Sequence, residues 1–266
     1  MLDLESFQLS DVGRVRDHNE DYIGRWLPSS ENEGRNQGWL FVVADGVGGE
    51  ELGEVASQTA VETLIEGFRS APRGEAHTVL MPRIVQKANT RIYELGRSAS
   101  PGGSRMATTV VACAFRYDRV VTAHVGDSRC YLIRHGLASQ LTRDHTVVAE
   151  QVRLGILSQQ EAEEAQTRHL LSRSLGNDLF VNVEIGDHQV HEGDVLLLCS
   201  DGLHGPVKGS EMAELVTWNP NLETAAHKLV TLANERDGGD NASVQLIRVK
   251  GTERMGMYRG RPYKLR

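Results

Sequence analysis

The 266-residue chain has no apolar run near the ~18 residues that a membrane span needs. It holds only three cysteines, Cys113, Cys130 and Cys199, in apolar stretches and at no metal-ligand spacing. An odd number so placed is expected to be reduced core thiols in a cytoplasmic protein, not a disulfide framework. None of the ten histidines falls at the His-Glu-x-x-His spacing of a zinc helix. Basic residues are outnumbered, 29 Lys and Arg against 36 Asp and Glu, and the net charge of −7 argues against broad nucleic-acid binding. The opening Met1-Leu2-Asp3-Leu4-Glu5 is acidic and lacks an apolar stretch, so no signal peptide is expected. Internal repeats and low-complexity tracts are missing too. What is there, 39% hydrophobic and 24% charged residues, is the profile of a folded globular chain.

The charge is uneven. Residues 251–266 carry Arg254, Arg259, Arg261, Lys264 and Arg266 against one acid, Glu253, a net +4 that leaves −11 for residues 1–250. Rich in Gly and Arg and poor in apolar side chains, that end is expected to be a flexible basic tail after one folded unit spanning 1–250.

Residues 40–44, 108–115 and 195–199 read as strands buried on both faces, being short and continuously apolar or β-branched. Further strands are expected at 120–125, 129–134, 183–190, 243–249 and near 7–12. Tyr117-Asp118-Arg119 and His135-Gly136 read as hairpin turns. Helical spacing of apolar residues appears in 55–64, 84–95 and 222–233. Strands joined by short turns pair antiparallel, so the pattern predicts an α+β fold with sheets between helices.

Aspartates meet glycines at the ends of these strands. Asp45 precedes Gly46-Val47-Gly48-Gly49, Asp127 follows Gly126, Asp201 precedes Gly202, and Asp240 ends Asp237-Gly238-Gly239-Asp240. Any one of these reads as an ordinary turn. Together they gather carboxylates from distant parts of the chain, with glycine admitting the main chain and its carbonyl. Such an all-oxygen set suits Mg2+ or Mn2+. Residues 10–21 add Glu20, Asp21 and Arg16, whose guanidinium fork matches phosphate oxygens.

The blocks are Gly13-x-Val15-Arg16-x-x-Asn19-Glu20-Asp21, Val43-Ala44-Asp45-Gly46-Val47-Gly48-Gly49, Met106-Ala107-Thr108-Thr109 and Val125-Gly126-Asp127-Ser128-Arg129. They continue with Leu141-Thr142-Arg143-Asp144-His145, Ser200-Asp201-Gly202-Leu203 and Asp240-Asn241-Ala242-Ser243-Val244. In this order, across residues 7–249, they resemble the metal-dependent Ser/Thr protein phosphatases, the PPM or type 2C family, most closely its bacterial branch.

The resemblance implies a β-sandwich of two antiparallel sheets flanked by pairs of helices, with metals in a cleft at one end. It implies hydrolysis of phosphomonoesters by direct attack of a metal-bridging water, without a covalent phosphoenzyme. Two core Mn2+ or Mg2+ ions are implied, with a third in bacterial members. Asp45 matches the acid that bridges the core ions, and the Gly46 carbonyl binds one of them. Asp201 and Asp240 match the acids that hold the other, while Glu20 and Asp21 match acids that bind metal or order its waters. Arg16 matches the arginine on the substrate phosphate, and Asp127, with Asp201, matches the third-ion site. Two cations about 3.5–4 Å apart can acidify a shared water and stabilise both the attacking and the leaving oxygen. Phosphorylated proteins, the products of a Ser/Thr kinase, are the implied substrates. Nucleic acid and membrane are not expected partners, and a monomer is expected.

One position departs from the pattern: Val47 stands where many eukaryotic members have a histidine that protonates the leaving group. His204 and His18 are the candidates for that role here. Residues 145–176 match the place of a mobile flap in bacterial members, with a plain surface helix pair as the alternative. Two other readings compete. Cys113 and Arg119 satisfy a Cys-x5-Arg spacing, but in a strand interior without glycine, which cannot wrap a phosphate. A non-catalytic phosphatase-fold module acting as a regulatory binding protein would be signalled by loss of the bridging acid, yet Asp45, Asp201 and Asp240 are all present.

Overall fold

The structure, a computed structural model, describes residues 2–47, 52–99, 106–253, 255–258 and 261–264. In chain order its strands are β1 (Asp3–Asp11), β2 (Asp21–Trp26), β3 (Trp39–Asp45), β4 (Val110–Arg116), β5 (Arg119–Val125) and β6 (Arg129–Arg134). They continue with β7 (Leu137–Gln140), β8 (Glu184–Gln189), β9 (Val195–Cys199), β10 (Ala242–Gly251), β11 (Met255–Tyr258) and β12 (Arg261–Lys264). The helices are α1 (Glu31–Asn36), α2 (Gly53–Arg69), α3 (His77–Ser98), α4 (Val147–Arg153), α5 (Gln159–Glu164), α6 (Asp201–His204), α7 (Gly209–Trp218) and α8 (Leu222–Arg236). One five-stranded sheet runs β1-β10-β9-β6-β7 and the other β2-β3-β4-β5-β8, with every pair antiparallel.

Side chains alternate between the faces of a strand, so a run that is apolar at every position must be covered on both sides. In β3, Trp39, Phe41 and Val43 enter the core between the sheets, whereas Leu40, Val42 and Ala44 pack under α2 and α3. In β9, Leu196 and Leu198 join the inter-sheet core and Val195, Leu197 and Cys199 pack under α7 and α8. Helix faces complete the layers: Ala56, Ala60, Leu64, Ile84 and Ala88 cover one sheet, and Met212, Val216, Ala226 and Leu229 the other. The outcome is the four-layer helix-sheet-sheet-helix sandwich that the sequence implies.

The expected elements are present with shifted ends, and the two hairpin turns form. Tyr117 (φ 61°) lies in one two-residue connection, while His135 (φ 51°) and Gly136 (φ 76°) form the other. Besides β11 and β12, five elements escaped the periodicity: β2, β7, α1, α6 and α7. β2 interrupts its apolar Tyr22, Ile23 and Trp26 with Gly24 and Arg25, β7 is four residues long, and α7 mixes its buried Met212, Ala213 and Val216 with polar residues. Within the segment expected to be a flexible tail, β11 and β12 pair as an antiparallel hairpin of their own. Tyr258 and Tyr263 favour strands, a signal hidden by the basic charge around them. Glu253, just before the hairpin, is buried and lies 3.4 Å from Arg35 of α1. The cysteines are free and buried as expected, with Cys113 and Cys130 meeting across the two sheets at 3.4 Å. Buried there, Cys113 cannot serve the cysteine-phosphatase chemistry that its spacing to Arg119 suggests.

Burial also sets a pH dependence. His77, at the start of α3, is 5% exposed, packs on Phe68 and donates from Nε2 to the Gln37 carbonyl at 2.7 Å. Desolvation, with Arg116 nearby, lowers its pKa to about 4. The unfolded chain binds this proton near pH 6.5 and the fold does not. Stability is therefore fully present above that pH and declines as pH falls toward 4. The loss from this one ring is on the order of 3 kcal/mol. A His77→Gln variant should show a shallower fall of unfolding free energy between pH 6.5 and 4 in urea titrations. Equal slopes in both proteins would mean that the ring is protonated in the fold.

Candidate functional site

Antiparallel pairing brings strand ends of both sheets to one edge. Asp21 opens β2 and Asp45 closes β3, and the two are register partners. Asp127 lies two residues before β6, and Asp201 two residues after β9. Asp240 lies two residues before β10, whose Val244 pairs with Cys199. Aspartates from residues 21 to 240 thus share one end of the sandwich.

Neighbouring hydrogen bonds fix each of them. The Asp45 N–H donates to Thr109 Oγ1 (3.1 Å), and its carbonyl accepts Thr108 Oγ1 (2.7 Å) and the Thr109 N–H (2.8 Å). The next residue must be glycine, because a Cβ on Gly46 would stand 2.5 Å from the Gly53 main chain. Gly46 N–H reaches the Glu20 carbonyl (3.1 Å), which also accepts Ser57 Oγ (2.6 Å). Glu20 N–H in turn donates to Asn241 Oδ1 (2.8 Å). A Cβ on Gly202 would lie 2.1 Å from the Asn241 carbonyl, so Asp201 also depends on a bare neighbour. Ser200 Oγ donates to Asp21 Oδ2 at 2.6 Å, and His204 Nε2 to the Asp127 carbonyl at 3.0 Å.

The electrostatics show what the cluster lacks. Desolvation raises the pKa of Asp45 well above the ordinary carboxylate value, and Asp21, Asp201, Asp127 and Asp240 reinforce it. Asp21, 6% exposed, is raised to about 7 by burial and by Asp201 and Asp240. Asp127, also 6% exposed, is raised to about 7 by burial and by Asp201 and Asp144. Burial acts in the same direction on Asp201, but His169, whose Nδ1 lies 3.6 Å from Oδ2, and His204 hold it below its ordinary value. Arg16 is the cation at the rim, 2.9 Å from Asp240 and 3.7 Å from Glu20. Asp21 Oδ1 is buried with no hydrogen-bond partner among the described residues. An orphaned carboxylate oxygen among mutually repelling acids fits a hard divalent cation with oxygen ligands.

The structure brings Asp21, Asp45, Asp127, Asp201 and Asp240 into one electrostatic unit, with Glu20 and Gly46 joined to it through the main chain. Gly48 and Gly49 of the glycine-rich block lie outside the described residues. Of the two histidines considered as proton donors, His204 has Nε2 committed to a carbonyl. His18 is exposed, 3.4 Å from Glu20 Oε1 and 4.0 Å from Glu54. His169 was not foreseen, since a lone histidine in a polar stretch carries no spacing signal. The segment that carries it holds α4 and α5 and is pinned at its base by bridges Thr146–Leu171 and Thr108–Leu175.

A family model described as protein phosphatase 2C matches residues 16–242. The serine/threonine phosphatase stp of Listeria innocua is 34% identical over 255 residues, covering 95% of this chain and 96% of that protein. The structure of the Streptococcus agalactiae serine/threonine phosphatase superposes with a TM-score of 0.84 at 33% identity, covering 92% of this chain and 99% of that one. The catalytic domain of the serine/threonine protein phosphatase PstP, solved in complex with two manganese ions, does so with a TM-score of 0.79 at 32% identity, covering 94% and 99%. Matched along most of its length by the family model and by these phosphatases, this chain belongs to the protein phosphatase 2C family and is a metal-dependent protein serine/threonine phosphatase.

Proposed function

We propose that Asp45, Gly46, Asp201 and Asp240 hold two core Mn2+ or Mg2+ ions, with Glu20 and Asp21 binding metal or ordering its waters. The observation that carries this reading is the orphaned Asp21 Oδ1 inside a set of aspartates that raise one another's proton affinity. When bound, the cations supply charge neutralisation at the phosphate and an acidified water. Asp45, tied through its main chain to Thr108 and Thr109, keeps its carboxylate fixed at the centre of the cluster. Arg16 binds the substrate phosphate with its fork, exchanging its present partners Asp240 and Glu20 for phosphate oxygens. Asp127 and Asp201 hold a third, looser ion. The substrates are phosphoproteins, and we assign them to a Ser/Thr kinase. Three unlinked, buried cysteines fit action in a reducing cytoplasm.

The deciding experiment is Mn2+-dependent hydrolysis of p-nitrophenyl phosphate, abolished by chelation and insensitive to thiol alkylation. Asp45→Asn or Asp240→Asn should lower turnover by about 10²–10³-fold or more, the scale of losing a main electrostatic contact. The melting temperature should hold or rise, because like-charge repulsion is relieved. Near-normal Mn2+-dependent rates in either variant would sink the ligand assignment.

Arg16→Ala should behave differently. Loss of charge-assisted hydrogen bonds worth about 1.5–3 kcal/mol each should cut kcat/KM, with Mn2+ affinity almost unchanged in calorimetry. A collapse of metal binding would instead give Arg16 a structural role.

Asp127→Ala should keep two tightly held ions and lose a third, together with most phosphopeptide hydrolysis. Anomalous diffraction from Mn2+-grown crystals reads the ion count directly. Three peaks in the variant would refute the assignment.

A further inference from the structure

α6 opens on Asp201 and closes on His204, three residues later and so on the same face of the turn. The His204 Nε2 stands 3.0 Å from the main-chain carbonyl of Asp127. A carbonyl only accepts, so Nε2 carries the hydrogen and donates it. This bond spans a gap left by the sheet. The β6–β9 ladder ends at the pair Arg129 and Cys199, two residues short of each aspartate. Beyond that pair, the spacing of Asp127 and Asp201 depends on bonds other than strand pairing.

The rest of the β5–β6 turn is held from the opposite side. Gly126 N–H donates to His145 Nδ1 (3.1 Å), and the Gly126 carbonyl accepts the His145 N–H (3.0 Å). Ser128 Oγ meets Thr109 Oγ1 at 2.6 Å. These contacts fix the turn to Thr109, which leads into β4, and to His145 in the segment after β7. The His204 bond is the contact that references it to the helix bearing Asp201.

We propose that His204 is a positioning residue: through the Asp127 carbonyl it sets the separation of the Asp127 and Asp201 carboxylates, and with it the affinity of the divalent cation they share. The inference rests on the reading that these two acids bind a cation. It gives His204 a use other than leaving-group protonation, since the ring nitrogen with the proton is engaged by the main chain.

The test is calorimetric titration of the whole chain with Mn2+, comparing wild type, His204→Ala, His204→Gln and Asp127→Ala. Gln places an amide N–H where the ring presented Nε2–H, and Ala places none. His204→Ala should weaken the loosest Mn2+ site about three- to tenfold, the scale of one neutral hydrogen bond, and leave the tighter ions in place. His204→Gln should recover most of that affinity. The Mn2+ concentration for half-maximal hydrolysis should move by the same factor, with KM for p-nitrophenyl phosphate at saturating Mn2+ unchanged. An equal loss at every ion in both His204 variants would show mere support of the fold and overturn the proposal. Wild-type affinity in His204→Ala, while Asp127→Ala loses the loose ion, would overturn the positioning role alone. Unchanged binding in Asp127→Ala would remove the cation reading beneath it, and the proposal with it.

Discussion

Repulsion among aspartates at one end of the sandwich is the constraint around which the surrounding structure is arranged. A carboxylate drawn out of water beside others is unfavourable unless hydrogen bonds or cations compensate. Here the strands deliver the acids without depending on them for stability. The inter-sheet core of Phe41, Phe115, Leu196, Leu198 and Ile247 holds the two sheets together with apolar contacts. Phe41 and Phe115 meet edge-on, ring centroids 5.7 Å apart. Such packing contributes stability whatever the charge state of the rim, so the acids can be placed for metal binding and need not stabilise the fold.

The same division explains what could be read from the sequence. β9 throughout, and β3 and β4 up to their last residues Asp45 and Arg116, are apolar because helices cover one face and the opposite sheet the other, and that pattern is visible without a structure. β2 is an edge strand with exposed Tyr22 and Arg25, and its tight fit to α2 runs through Gly24, where a Cβ would fall 2.5 Å from Val61. Gly24 beside Arg25 breaks the two-residue alternation that marks a strand, so the sequence hides it. Asp45 and Asp201 are legible because each sits beside a glycine, Gly46 or Gly202, that the crowded main chain requires, and Asp127 and Asp240 adjoin glycines too, whereas Asp21 and Glu20 do not. Their partners were less so: Ser200, Asn19 and Asn241 stood in the matched blocks, but nothing in their spacing says which acid each one holds. His169 reaches Asp201 only through the path of the chain after α5.

The two sheets must also be fixed relative to each other at the rim, where the apolar core has ended. A closed circuit of hydrogen bonds does this. Asn19 Nδ2 donates to Ser10 Oγ (2.8 Å), Ser10 Oγ meets Ser243 Oγ (2.8 Å), and the Ser243 N–H donates to Ser200 Oγ (3.0 Å). Ser200 Oγ donates to Asp21 Oδ2 (2.6 Å), and the Asp21 N–H returns to Asn19 Oδ1 (3.1 Å). Ser10 and Ser243 come from β1 and β10 of one sheet and Ser200 directly follows its β9, while Asn19 and Asp21 lead into β2 of the other. The circuit uses one oxygen of Asp21 and leaves Oδ1 without a partner among the described residues. Networks of this kind are rigid when every other member is satisfied, and they then direct the remaining valence to one place. Asp21 therefore acts as the joint between the sheets on one side and offers a fixed, desolvated oxygen on the other. That coupling lets acids from two separate sheets behave as a single site.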